Sequence, residues 1–338
     1  MCSRGNPSET EAKGKTVDPI LFWNGVSLEA NRVSHTNGRG EQTGPTLSSR
    51  ALAIVHLAMY DAFAGVADDP ANLPPYIGGV PAPDGASRRA AVAAAAHTAL
   101  SQLFPSQGAF FDLALAGAGD ESDPGHAFGV AVGLKILADR AGDPDAGDGG
   151  YEPSLGRGKH RPDPDDPGQG FHAPFYGARS KGFAITARHA LDAPPFDDNE
   201  YRKALRGVRG KGIAPELMGT LPAGIEARTV DETVVGIYWG YDGASGLGTP
   251  PRLYNQVVRR VAEARGNSVA ENARLFAFVN VAMADAGILA WDEKYRHDLW
   301  RPVLGIREHD KSMGPAATQA SNNISDDCDP SWLPLGAP

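Results

Sequence analysis

The 338-residue sequence predicts an all-α protein, built from helical bundles joined by long loops. Two observations carry that expectation. Apolar residues recur at spacings of three and four through most regular stretches, the period of a helix with one buried face. Alternating apolar and polar residues, the mark of a half-buried strand, occur only in short and scattered runs. No tandem repeat is evident.

Taken in order, residues 1–18 read as a disordered tail, and 20–30 (ILFWNGVSLEA) as a first helix. Residues 46–63 form a strong helix, started by Pro45 and Thr46, with Leu52, Val55, Met59 and Phe63 on one face. The alanine-rich stretch 88–104 is a third, stopped by Pro105. Residues 126–140 are a fourth, with Val130, Leu134, Leu137 and Ala138 as its expected apolar face. Residues 141–180 are dense in Gly, Pro and Asp yet hold Phe171, His172, Phe175 and Tyr176, so they read as a long packed surface loop. Asp143, Asp145 and Asp148 miss the spacing of a calcium loop and read as turn residues. Helices resume at 197–208, 229–241, 251–265 and 269–300.

Composition narrows the function. The chain is 41% hydrophobic, enough for a sizeable core, and its net charge of −9 comes with no long basic stripe, which argues against nucleic acid as a partner. Gly and Pro number 41 and 27, consistent with long ordered loops. Two cysteines, Cys2 and Cys328, offer no zinc spacing and do not suggest a disulfide. The first residues lack the apolar core of a secretory signal, and no run of about 18 apolar residues predicts a membrane span. The compartment is left open, secreted or cytoplasmic.

The segment with chemistry in it is WDEKYRHDLWRP, from Trp291 to Pro302. If it is helical, Lys294 and Arg301 return to nearly the same face, with Trp291 one turn before the lysine. Pro302 would end or kink the helix just after the arginine. A planar, bidentate guanidinium beside a mobile ammonium suits a tetrahedral or trigonal-bipyramidal oxyanion. The same residues also fit an ordinary charged face, pairing Lys294 with Asp298 and His297 with Arg301.

Longer blocks separate these readings. ILFWNGVSLEANRVSHTNG, TGPTLSSRALAIVHLAMYDAF, HAPFYG, IYWGYDG, LGTPPRLYNQVVRRVA, ARLFAFVNVAMADAGILAWDEK, LWRPVLGIR and DPSWLPLGAP stand between residue 20 and Pro338. In these blocks the chain resembles the vanadium-dependent haloperoxidases of the fungal chloroperoxidase type. The K-x6-R-P pattern alone is shared with the acid and lipid phosphatases of the same superfamily. The resemblance implies a first helical bundle over 19–228, which carries the 141–180 loop, and the start of a second, vanadate-binding bundle over 229–338.

The resemblance also implies vanadate as cofactor, with hydrogen peroxide, a halide (bromide or chloride) and an organic acceptor as substrates. Lys294 would hold a vanadate oxygen and polarise bound peroxide, and Arg301 would bind vanadate oxygens and offset their charge. Asp242, in Y-D-G, would support a second vanadate-binding arginine, although by itself it reads as a turn residue. Trp291 and Pro45 would line the halide channel.

The family's P-S-G-H motif, a downstream arginine and the histidine that ligates vanadium do not occur in these residues, so no direct vanadium ligand is expected here. The apolar SWLPLGAP is followed by nothing to pack against, and the sequence therefore reads as shortened at its C-terminus. A second chain could carry the missing half, and the isolated chain is expected to be inactive. His35, His56, His97, His126, His160, His172, His189, His297 and His309 are expected in core or surface roles. Two alternatives accompany this reading: a phosphoester hydrolase of the same superfamily, and a non-catalytic helical subunit.

Overall fold

The computed structural model describes residues 17–144, 149–156, 158–168, 172–194, 199–240, 246–308 and 328–336. Among them α-helices follow one another with isolated bridges but no strand or sheet. Helix α1 (Pro19–Ser34) starts on Asp18, whose carboxylate accepts the Ile20 and Leu21 N–H groups at 2.8 and 3.1 Å. Asp18 is therefore an ordered cap rather than part of a tail. The rest of that expected tail, 1–16, lies outside the described residues. Helix α2 (Gly44–Ala67) has Pro45 in its first turn, where a missing N–H costs nothing. Helix α3 (Arg88–Leu103) is capped by Ser87 and α5 (Pro124–Asp139) by Asp123. Asp123 also accepts the Ser87 N–H at 3.0 Å, tying the two helix starts together. Between them lies α4 (Gly108–Ala118), which apolar periodicity did not single out because only Phe111 and Leu115 are buried.

Helix α2 is the axis of the core, flanked by α1, α3, α5 and α10 (Val269–His297). The α3–α5 contact explains the alanine-rich sequence. Gly125, Gly129 and Gly133 of α5 face Ala91, Ala94 and Ala95, and a Cβ on Gly129 would stand 2.2 Å from the Ala91 carbonyl oxygen. A Cβ on Gly65 would likewise meet the Phe128 ring at 2.6 Å. These small residues let backbones approach more closely than any side chain permits. The expected apolar face of α5 is corrected accordingly. Its buried residues are Gly125, Phe128, Gly129, Val132, Gly133 and Ile136, whereas Leu134 is 49% exposed.

A polar chain crosses this core. His56 Nδ1 donates to the Leu52 carbonyl at 2.6 Å, so in the neutral ring Nε2 accepts from Asn24 at 3.1 Å. Asn24 reaches Asn255 on α9 (Pro250–Arg265), and Asn255 exchanges hydrogen bonds with Asn280 on α10 at 2.8 and 3.0 Å. Burial pushes the His56 pKa down to about 4. Helix α10 opens with a capping box, Ser268 with Glu271. Its Asp285 accepts the N–H groups of Phe183, Ala184 and Ile185, which pins that loop to the helix.

A second apolar cluster joins α7 (Asn199–Gly212), α11 (Pro302–Glu308) and residues 328–336 through Leu205, Ile213, Trp300, Leu304 and Trp332. Trp332 donates to the Arg209 carbonyl at 3.0 Å, so the C-terminal apolar segment finds its partners in earlier helices. Packing crosses residue 228 in both directions: α7 lies before it and packs with α11, while α9 and α10 lie after it and join the first core. Helix α8 (Val230–Trp239) buries none of its residues and exposes Val230, Val234, Val235 and Ile237. Helices α2 and α10 have the length and apolarity of a membrane span, but 78% of that stretch of α2 is buried inside the protein.

Candidate oxyanion site

Helix α10 carries Trp291 and Lys294 in its last turns. The lysine Nζ lies 3.8 Å from the centre of the Trp291 ring, the one-turn relation expected from spacing. The helix then stops. Asp298 takes a left-handed conformation, φ 50°, and its N–H returns to the Lys294 carbonyl at 2.9 Å. Aspartate tolerates this backbone better than most residues. Arg301 therefore does not share a helix face with Lys294. It stands in the short link before α11, and Pro302 begins that helix rather than ending α10. The ordinary charge pairings are replaced too, since His297 pairs with Glu293 at 2.9 Å and Asp298 with Lys159 at 3.8 Å.

The link is held by the long loop. Residues 158–160 run antiparallel to 298–300: the His160 N–H donates to the Asp298 carbonyl at 2.9 Å, and the Trp300 N–H to the Gly158 carbonyl at 3.0 Å. Farther along, Arg161 pairs with Glu308, and Arg307 with Asp163 at 2.9 Å, fastening the same loop to α11. Earlier in the loop, Asp143 is a buried partner of Arg50 and Arg140 at 2.9 and 2.8 Å, while Asp145 and Asp148 lie outside the described residues.

This clamp places a cluster of rings beside the two cations. Tyr151 stacks on His172 with centroids 4.1 Å apart and planes within 6°, and Tyr295 meets Tyr151 edge-on at 6.4 Å. The Tyr151 hydroxyl is hydrogen-bonded to His160 Nδ1. Tyr295 Oη in turn accepts the Ala173 N–H at 2.7 Å. Burial, Arg301, His172 and Lys294 together push the His160 pKa down to about 4, so the ring is neutral at pH 7. Burial and Asp298 push the Tyr151 phenol up to about 12. Among the described residues no carboxylate pairs with the half-buried Arg301 guanidinium. Arg301 and Lys294 both act electrostatically on this ring cluster, in a protein of net charge −9.

Trp291 packs on the edge of the main core. Helix α6 (Tyr176–Arg179) joins its surroundings to those of Pro45. A Cβ on Gly177 would stand 2.0 Å from the Asp292 nitrogen, and the Tyr176 hydroxyl donates to the carbonyl of Thr46, next to Pro45, at 3.3 Å. Asp242 lies outside the described residues, as does His309. Tyr151, His160 and His172 were not singled out as site residues. The available signal was the density of aromatic and imidazole side chains in a stretch otherwise composed like a linker.

The family model of the vanadium chloroperoxidase N-terminal domain matches residues 7–110, and that of the second helical-bundle domain matches residues 274–338. A vanadium chloroperoxidase of Curvularia inaequalis is 35% identical over 98% of this chain. The chain spans 62% of that relative's length. A crystal structure of a bacterial vanadium-dependent iodoperoxidase shares the fold with a TM-score of 0.63 at 18% identity, over 87% of this chain and 74% of its own. The all-α architecture and the two matched domains agree, and the chain belongs to the vanadium chloroperoxidase family.

Proposed function

We propose that this chain supplies one side of the oxyanion site of a vanadium-dependent haloperoxidase, which oxidises halide with hydrogen peroxide. One observation carries the reading: a guanidinium without a carboxylate partner among the described residues acts, together with Lys294, on a histidine that burial first and then these cations keep neutral. Such a donor set fits an oxyanion, because Lys and Arg offer only donors and their charges are stationed before the anion arrives. Vanadate, when bound, supplies Lewis-acid activation of peroxide. Arg301 would bind anion oxygens and offset their charge. Lys294 would donate to an oxygen that gains negative charge in the reaction. Trp291 and Pro45 would border the path of the halide, and Asp242 would support the site from outside it. Residues 229–338 would form the start of the vanadate-binding bundle.

The 338 residues hold no P-S-G-H sequence, the motif whose Ser and Gly N–H groups hold vanadate and whose His acts as an acid–base group by the family resemblance. Activity is accordingly assigned to an assembly that includes it, in the same polypeptide or in a second chain. In such an assembly Lys294→Ala should lower peroxide-dependent bromination of an organic acceptor by about 100–1000-fold. Unchanged turnover would remove Lys294 from the mechanism, and phosphate-ester hydrolysis without any halide dependence would favour a phosphatase instead.

A further inference from the structure

We propose that His160 is a third contact of the oxyanion at Lys294 and Arg301, meeting it through Nε2 while Tyr151 holds Nδ1. The inference rests on the reading of Lys294 and Arg301 as an oxyanion site. Three features support it. The backbone of residues 158–160 is paired with residues 298–300, so His160 is fixed beside the link that carries Arg301. Both Arg301 and Lys294 act electrostatically on the ring. Its Nδ1 is taken by Tyr151, leaving Nε2 as the nitrogen for a ligand.

The chemistry of the three groups is complementary. Lys294 and Arg301 cannot accept a hydrogen bond, so neither can take the one that a protonated oxygen of the anion donates. A neutral imidazole can. The Tyr151 hydroxyl either donates to Nδ1, which leaves Nε2–H as a donor, or donates to the His160 carbonyl at 3.3 Å and accepts from Nδ1–H, which leaves Nε2 as an acceptor. Both arrangements hold the same two protons on the Tyr–His pair and leave it neutral; the proton that distinguishes a bare from a protonated ligand oxygen is exchanged with solvent. The pair can therefore match a bare or a protonated oxygen. His172 stacks on the Tyr151 ring and also meets the His160 ring edge-on at 5.6 Å, which holds the pair in place.

Histidine-selective nitrogen NMR of the full chain, titrated to millimolar levels with orthovanadate and separately with inorganic phosphate, tests this. The His160 Nε2 signal should move with either anion, and the response should vanish in the Lys294→Ala/Arg301→Ala double variant. His160→Leu should weaken anion binding about tenfold, read from the Trp291 indole signal, whereas His160→Gln, which retains a donor and an acceptor, should stay within about threefold. If the Trp291 signal responds while His160 is silent and His160→Leu binds as well as the parent, the His160 role is overturned and the Lys294/Arg301 site stands. If neither signal responds, the oxyanion site itself is overturned, and His160 with it.

Discussion

The α3–α5 contact and the loop clasp at residues 158–160 are both places where backbones come close, and they are built in opposite ways. In the first, a glycine stripe meets mainly alanines, and the constraint is the absence of a Cβ. In the second, backbone hydrogen bonds, ion pairs and stacked rings hold a polar loop against the segment joining Lys294 to Arg301. The first fixes where the helices lie. The second collects charge that the helices alone would not bring together. Stability and chemistry are thus separable in this molecule, and substitutions can show it.

The largest expected effect is at the glycine stripe. Gly129→Val would drive side-chain atoms into the Ala91 carbonyl and should cost about 3 kcal/mol or more, read by urea unfolding. A variant as stable as the parent would mean that glycine does not set the helix spacing. An intermediate effect belongs to pH. The folded-state pKa of His56 is depressed to about 4 from an ordinary 6.5, so between those values the unfolded chain binds more protons. Its contribution to stability is complete above pH 6.5 and is lost as pH falls towards 4, with a full extent of roughly 3 kcal/mol. The thermal midpoint should fall over that window, and the fall should shrink in His56→Gln. An equal fall in the variant would place the proton uptake elsewhere. The smallest effect is at Lys159, whose side chain is 49% exposed in its pair with Asp298. Lys159→Ala should cost under about 1 kcal/mol, because the clasp depends on its backbone bonds. A larger loss would show the exposed ion pair to be part of the clasp.

The same contrast explains what could be read from sequence. Helices α1 to α3 and α7 to α10 announce themselves by apolar period and, for α2, by the start at Pro45 and Thr46, whereas the Asp18 cap of α1 was hidden in a stretch composed like a tail. The buried face of α5 does not, because glycine acts through what it lacks and carries no hydropathy signal. Lys294 and Trp291 were legible as a one-turn pair. The position of Arg301 was not, since the break at Asp298 uses a residue that also sits comfortably in helix ends and turns. Contacts between His160 and the Lys294–Arg301 segment span more than a hundred residues of chain, and no local pattern encodes such a pairing. Family resemblance supplied Lys294 and Arg301, but the ring cluster that faces them emerged only from the fold.

The central claim is that Lys294 and Arg301 together bind an oxyanion, and the vanadium NMR linewidth of orthovanadate measures that directly. Addition of the chain should broaden the signal, less so at high salt because Lys294 is exposed, and the Lys294→Ala/Arg301→Ala double variant should leave it sharp. Equal broadening by parent and double variant would contradict the account.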